Sequence, residues 1–281
     1  MFKRLFEAIA NALRVYARVT SPPEEPPTKY ILTVWKKSLL SIDWHERISG
    51  FDVISLKAVD GDHLYHNENV REMARVVDKQ KKELHLWGFH YCTSEEMAKA
   101  EAIIAVNACK SVNATGYHLN AEKQWANSSE PQDNARVFAQ TFKSMLPATA
   151  LYANCFNTET TDEVLEWFDY FEPMIYGTKI STIANKFENR MSRDIPDAKK
   201  AVMVGTGRKN GDTQAWGYLH DKDGVRGLVS LVKEFQPVSV NFFRAGRADE
   251  EDIMVRPNRI NPRLNDQVKM LKEECQPPKN V

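Results

Sequence analysis

Phe2, Leu5, Phe6, Ile9 and Leu13 recur at helical spacing, with Lys3, Arg4, Glu7 and Arg14 mostly elsewhere. This pattern predicts an amphipathic helix over residues 1–20. Pro22, Pro23, Pro26 and Pro27 then stiffen the chain into an extended linker over 21–29. From Tyr30 the period changes. Short β-rich runs recur at 30–36, 51–58, 84–91, 114–121, 148–156, 171–176, 201–206 and 238–244. Helical patterns lie between them, at 67–82, 93–110, 133–146, 160–170, 183–191 and 225–235. In the first of these Val70, Met73, Ala74 and Val77 share one face, while Thr93 with Glu96 and Thr160 with Glu163 have capping-box spacing. Strands alternating with helices of about ten residues or more predict parallel βαβ units. Eight such runs predict closure into an α/β fold, a (β/α)8 barrel over 30–255. Residues 256–281 read as a proline-rich tail with one short helix at 264–274.

Bulk properties narrow the function classes. The 281 residues suit one barrel domain, which typically needs about 250. Formal net charge is +0, so nothing calls for nucleic acid. No apolar run approaches the roughly 20 residues that span a bilayer. Glu7, Asn11 and Arg14 interrupt the only signal-peptide-like stretch, so the first helix is expected to be retained and synthesis to be cytoplasmic. Cys92, Cys109, Cys155 and Cys275 are scattered without CxxC spacing, which argues against a metal knuckle and fits a reducing compartment. Neither GxGxxG after the first strand nor GxxxxGK[ST] is present, which disfavours an open nucleotide-binding sheet.

Catalytic residues of this barrel class lie at the C-terminal ends of strands and in the loops that follow. The fourth run narrows the choice. It reads Thr115-Gly116-Tyr117-His118-Leu119-Asn120-Ala121-Glu122, and strand side chains alternate faces. His118, Asn120 and Glu122 therefore share one face, and the other face, Tyr117, Leu119 and Ala121, suits the layer under the helices. Polar groups pointing into a barrel conflict with an apolar interior, and such conflicts mark functional sites. Glu122 at the mouth is a candidate general acid. Asn120 is neither base nor anion, but it can hold a substrate amide. That combination suits substrate-assisted glycoside cleavage, in which a 2-acetamido oxygen is the nucleophile. Position alone nominates Trp35, Trp87, His90, Tyr91, Asn154, Asn241 and Arg244 as substrate-binding residues, with the tryptophans able to stack on sugar faces. His90 and His118 lack metal-ligand spacing, so neither a metal nor a cofactor is expected. The glycine-rich stretch 205–211 leaves a phosphate-ligand barrel as a weaker reading.

The fourth run resembles the strand-four signature D-G-x-D-x-D-x-E of chitinase-like family 18 glycoside hydrolases. Gly116 matches the glycine and Glu122 the catalytic acid, while Thr115, His118 and Asn120 stand where that pattern has aspartates. Gly116…Asn120-Ala121-Glu122 is similar to the N-x-E version of family 85 endo-β-N-acetylglucosaminidases, and the likeness implies that Asn120 orients the acetamide and Glu122 is acid/base. Phe171 to Tyr176 resembles the strand-six M-x-Y motif of chitinase-like enzymes, which implies that Tyr176 touches the reacting acetamido group; Gly177 replaces the aspartate that follows there. Runs at 51–61 and 88–91 resemble the second and third strands of family 25 lysozyme-like barrels.

The function expected is cleavage of N-acetylglucosamine-containing glycans, peptidoglycan or chitin-like. The alternative is a barrel without turnover that binds glycan or serves as a structural part of a larger assembly such as a phage particle, with 1–20 and 256–281 docking a protein partner. That setting, virion association included, is an analogy at the level of fold.

Overall fold

The structure, a computed structural model, describes residues 27–34, 48–65, 67–122, 130–155, 161–177, 180–205, 222–243 and 264–275. Eight parallel strands close into a barrel: β1 (Lys29–Val34), β2 (Val53–Asp60), β3 (Glu83–His90), β4 (Gly116–Ala121), β5 (Ala150–Cys155), β6 (Tyr170–Ile175), β7 (Val202–Gly205) and β8 (Ser239–Phe243). β1 closes the ring by pairing with both β2 and β8; Ile31 faces Val53 on one side and Asn241 on the other. Each strand is an almost unbroken buried run, because parallel barrel strands are covered on both faces. After β2 the two-residue strand His63–Leu64 folds back antiparallel, through a turn in which Gly61 takes φ +60.

The outer ring holds α1 (Asn67–Lys79), α2 (Glu95–Val112), α3 (Pro131–Met145), the single turn α4 (Asp162–Leu165), α5 (Ile180–Met191), α6 (Lys222–Phe235) and α7 (Leu264–Cys275). Tyr117, Phe138, Phe142, Phe171, Phe187 and Phe242 are fully buried in the core. Burying each aromatic contributes on the order of 1.5–3 kcal/mol.

Two expectations shift. Ser94, not Thr93, caps α2, its Oγ accepting from the Met97 N–H at 3.2 Å. The helix expected over 160–170 shrinks to α4, because Asp169 is clasped by β5. Its N–H donates to the Leu151 carbonyl at 3.0 Å and its carboxylate accepts from the Leu151 N–H at 2.8 Å. Tyr170 is thereby drawn into β6, in register with Tyr152. The helix expected at 264–274 forms as α7 and packs on the barrel: Leu264, Val268 and Leu271 are buried in the same core, and Asn265 accepts from the Gly50 N–H at 2.5 Å. The first helix, residues 21–26 of the linker and the glycine-rich stretch beyond Gly205 lie outside the described residues. All four cysteines are free thiols, and among the described residues no helix is long and apolar enough to cross a membrane.

Candidate active site

On β4 the alternation resolves as two faces. Tyr117 packs outward on Phe142 of α3, ring centroids 5.4 Å apart, while His118 and Asn120 point into the barrel. Asn120 donates from Nδ2 to Glu122 Oε1 at 3.2 Å. Its Oδ1 is buried and accepts no hydrogen bond among the described residues. An unmet buried acceptor costs about 1–3 kcal/mol, so this carbonyl is suited to a ligand's N–H or O–H. Glu122, just past the strand end, is half-buried.

Asn154 lies beside Asn120 in the β4–β5 register. Its Nδ2 donates toward Met203 Sδ at 3.4 Å, and the Tyr176 hydroxyl donates to the same sulfur at 3.4 Å. Tyr176 also stacks on Phe243 and packs against an apolar patch of Trp87, Met174, Met203 and Phe243, which is separate from the main core. Trp87 is pinned by its indole N–H, which donates to the Val34 carbonyl at 3.0 Å. Lys57 pairs with Asp60 at 2.7 Å and sits over the Tyr65 and Trp87 rings, a cation–π arrangement.

The structure thus brings Asn120, Glu122, Asn154, Tyr176 and Trp87 together. Tyr91 stands at the exposed rim, edge-on to Phe89 at 5.2 Å. Desolvation first and Asp60 second raise its phenol pKa. His90 turns the other way. It is wholly buried in the layer under the helices, its Nδ1 on Glu101 at 2.9 Å, its Nε2 on the Tyr117 hydroxyl at 2.6 Å and its ring against Phe138. It is therefore not among the residues facing the site. Gly88 makes room for that pair, since a Cβ there would strike the Tyr117 hydroxyl. Asn241 is also wholly buried, with both ends of its amide engaged below the site. Trp35 and Arg244 lie outside the described residues.

Beneath the site is a residue not nominated from sequence. Glu172 on β6 is fully buried and accepts from His118 Nδ1 at 2.8 Å, Asn154 Nδ2 at 2.8 Å and Asn241 Nδ2 at 3.1 Å. Asn241 in turn accepts from the Thr33 hydroxyl at 2.7 Å. His118 Nε2 meets His85 Nδ1 at 2.9 Å, and the His118 ring stacks on Tyr152 with centroids 4.2 Å apart. Among the described residues no group of three or more His, Cys, Asp or Glu side chains is disposed to hold a metal ion.

Burial, then the charge of His118, then Lys29 push the His85 pKa well below its ordinary value. His85 is thus neutral when folded but takes a proton when unfolded below about pH 6.5. The unfolded chain then binds more protons, so stability falls as pH drops, by up to about 1.4 kcal/mol per pH unit from this one group. Urea unfolding of the wild type and His85→Asn from about pH 5 to 7 should show a steeper loss in the wild type; equal slopes would exclude a buried neutral imidazole.

No family model matches the chain, and no curated protein matches it in sequence. Solved structures do match in shape. A GH18 chitinase from Pseudoalteromonas aurantia aligns at TM-score 0.63 and 11% identity, over 88% of this chain and 100% of that one. A class V chitinase from Nicotiana tobaccum aligns at TM-score 0.65 and 9% identity, over 89% and 99%. The spore cortex-lytic enzyme of Bacillus megaterium aligns at TM-score 0.60 and 10% identity, over 91% and 76%. At these identities the likeness shows the fold: a (β/α)8 barrel of the kind seen in these chitinases and in that cortex-lytic enzyme.

Proposed function

We propose that the protein is a glycosidase that cleaves N-acetylglucosamine-containing glycans, peptidoglycan or chitin-like, by substrate assistance. The observation that carries the reading is the Asn120 Oδ1, unpartnered among the described residues, beside the Glu122 carboxyl. In this mechanism Asn120 Oδ1 accepts the N–H of the sugar's 2-acetamido group and turns that group's carbonyl oxygen toward C1. Glu122 protonates the departing glycosidic oxygen as the acetamido oxygen bonds to C1 and the glycosidic bond breaks. Glu122, now a carboxylate, takes a proton from the water that opens the cyclic intermediate. Two displacements at C1 return the starting anomer. The Tyr176 hydroxyl flanks the acetamide, and its half-buried ring, backed by Phe243, offers an apolar face to a sugar. The fold shared with chitinases and a cortex-lytic enzyme supports the substrate class by analogy.

Chitotetraose and purified peptidoglycan, followed by proton NMR, test it. New reducing ends formed first as the β anomer are expected. Inversion would overturn the mechanism. Saturable binding with no product would identify the second reading, a glycan-binding barrel without turnover, which Thr115, His118 and Asn120 favour by standing where the similar pattern has aspartates.

A further inference from the structure

We infer that Glu172 is a positioning residue of this site: its buried carboxylate fixes the side-chain amide of Asn154 and so decides which atom of that amide meets a bound sugar. The inference rests on the glycosidase reading.

Glu172, Met174 and Tyr176 fall on one face of the sixth strand and its continuation, by the two-residue period. Met174 and Tyr176 belong to the patch at the site, and Glu172 lies one step deeper. Removing a carboxylate this far from water costs several kcal/mol unless polar partners replace its hydration. The partners come from three other strands: His118 from β4, Asn154 from β5 and Asn241 from β8, with Thr33 of β1 holding Asn241 in turn. One carboxylate therefore ties the barrel together across its axis.

The consequence is orientational. An ionised carboxylate only accepts hydrogen bonds. Any amide touching it must present its NH2 end. Asn154 does so, with Nδ2 at 2.8 Å from Glu172 Oε2, and the same nitrogen reaches Met203 Sδ at 3.4 Å. Both Asn154 N–H bonds are thereby engaged, and Oδ1 is the atom left to a ligand. Asn120, its register neighbour, has a buried Oδ1 that accepts no hydrogen bond among the described residues. Two amide carbonyls on adjacent strands then meet a ligand that offers two donors. An N-acetylated sugar supplies an acetamido N–H and a ring hydroxyl. With Glu172 changed to an amide, one of its two acceptor atoms becomes a donor, the three N–H groups that converge on it compete for the remaining oxygen, and the Asn154 amide is no longer held in one orientation.

KM and kcat for chitotetraose distinguish this role from a merely structural one, measured on the wild type, Glu172→Gln, Glu172→Asp, Asn154→Ala and the double variants. Glu172→Gln should raise KM about tenfold with kcat changed less than about threefold, the pattern of lost binding common to ground and transition states. Glu172→Asp, still an acceptor, should recover part of the affinity. In the Asn154→Ala background Glu172→Gln should add nothing to KM. Thr33→Val, which cuts the same network at its far end, should lower the melting temperature and leave KM alone. A wild-type KM in Glu172→Gln, an undiminished effect without Asn154, or an equal KM shift in Thr33→Val would each overturn the inference while leaving the glycosidase reading standing. If Glu172→Gln shows no cooperative melt, Glu172→Asp carries the same comparison, with a smaller rise in KM expected that vanishes in Asn154→Ala. A wild type that neither binds nor cleaves the tetramer would remove both.

Discussion

Glu122→Gln should lower the rate of glycan cleavage by roughly 10²–10⁴-fold, the range a positioned general acid/base contributes. The substitution keeps size and shape, and the new amide oxygen can still accept from Asn120 Nδ2, the contact seen at 3.2 Å. Only the transferable proton is lost. The melting temperature should therefore stay within a degree or two, about 0.5 kcal/mol of stability, because a half-buried residue past the strand end makes few packing contacts. Chitotetraose should still bind with near wild-type affinity. Activity within about twofold of wild type would remove Glu122 from the chemistry. Asn120→Asp sharpens the result. It restores the carboxylate of the similar strand-four pattern, but within 3.2 Å of Glu122 a second carboxylate competes for one proton. If Asn120 works as an amide, Asn120→Asp lowers activity at neutral pH. If the site descends from a two-carboxylate mechanism, it raises activity.

The barrel was legible because eight short β-rich runs alternate with helical patterns, even though polar residues such as His85, His118, Asn154 and Asn241 interrupt the strands. Where the reading slipped, the cause was non-local. Nothing in 160–170 shows that Asp169 will be clasped by Leu151, so a helical pattern ran on into a residue that pairs as strand. In α7 the spacing of Leu264, Val268 and Leu271 marks a helix, while the barrel surface that buries them is set by contacts such as Asn265 with Gly50, 215 residues away. At the site, period-two alternation found His118, Asn120 and Glu122 on strand four. The same rule carried from Tyr176 back along strand six would have put Glu172 inside. What the local sequence does not show is that a carboxylate can be held there, since its partners His118 and Asn241 lie 54 and 69 residues away. Its place at a strand end points His90 toward the site. The same alternation groups it with Leu84, Leu86 and Gly88, the face turned to the helices.

That outward face carries the largest expected loss of stability. Glu101→Ala should cost about 3–5 kcal/mol, because three buried donors would lose one shared acceptor at about 1–3 kcal/mol each. Glu101 is fully buried on α2. Its Oε2 accepts from His90 Nδ1 at 2.9 Å and the Tyr91 N–H at 3.0 Å, and its Oε1 from the Cys92 N–H at 3.2 Å. Burial alone would raise its pKa, but His90 and the two backbone N–H groups outweigh burial and hold it below the usual carboxylate value. A depressed carboxyl pKa stabilises the fold above the unfolded value of about 4.5, and this contribution fades as pH falls through the folded value. Alanine would take away the acceptor shared by His90 Nδ1 and the Tyr91 and Cys92 N–H groups. It would also release Cys92, held at φ 43, a left-handed conformation costing a β-carbon residue about 1–2 kcal/mol. Tyr91 at the rim shares that backbone, so the damage should reach the mouth of the barrel. Glu101→Gln keeps the volume but turns a donor toward the same N–H groups, and should recover only part of the loss. Urea unfolding at pH 7, with the denaturant dependence compared between variants, measures both. A loss under about 1 kcal/mol for Glu101→Ala would mean that the loop after β3 is held by its apolar packing and not by this carboxylate.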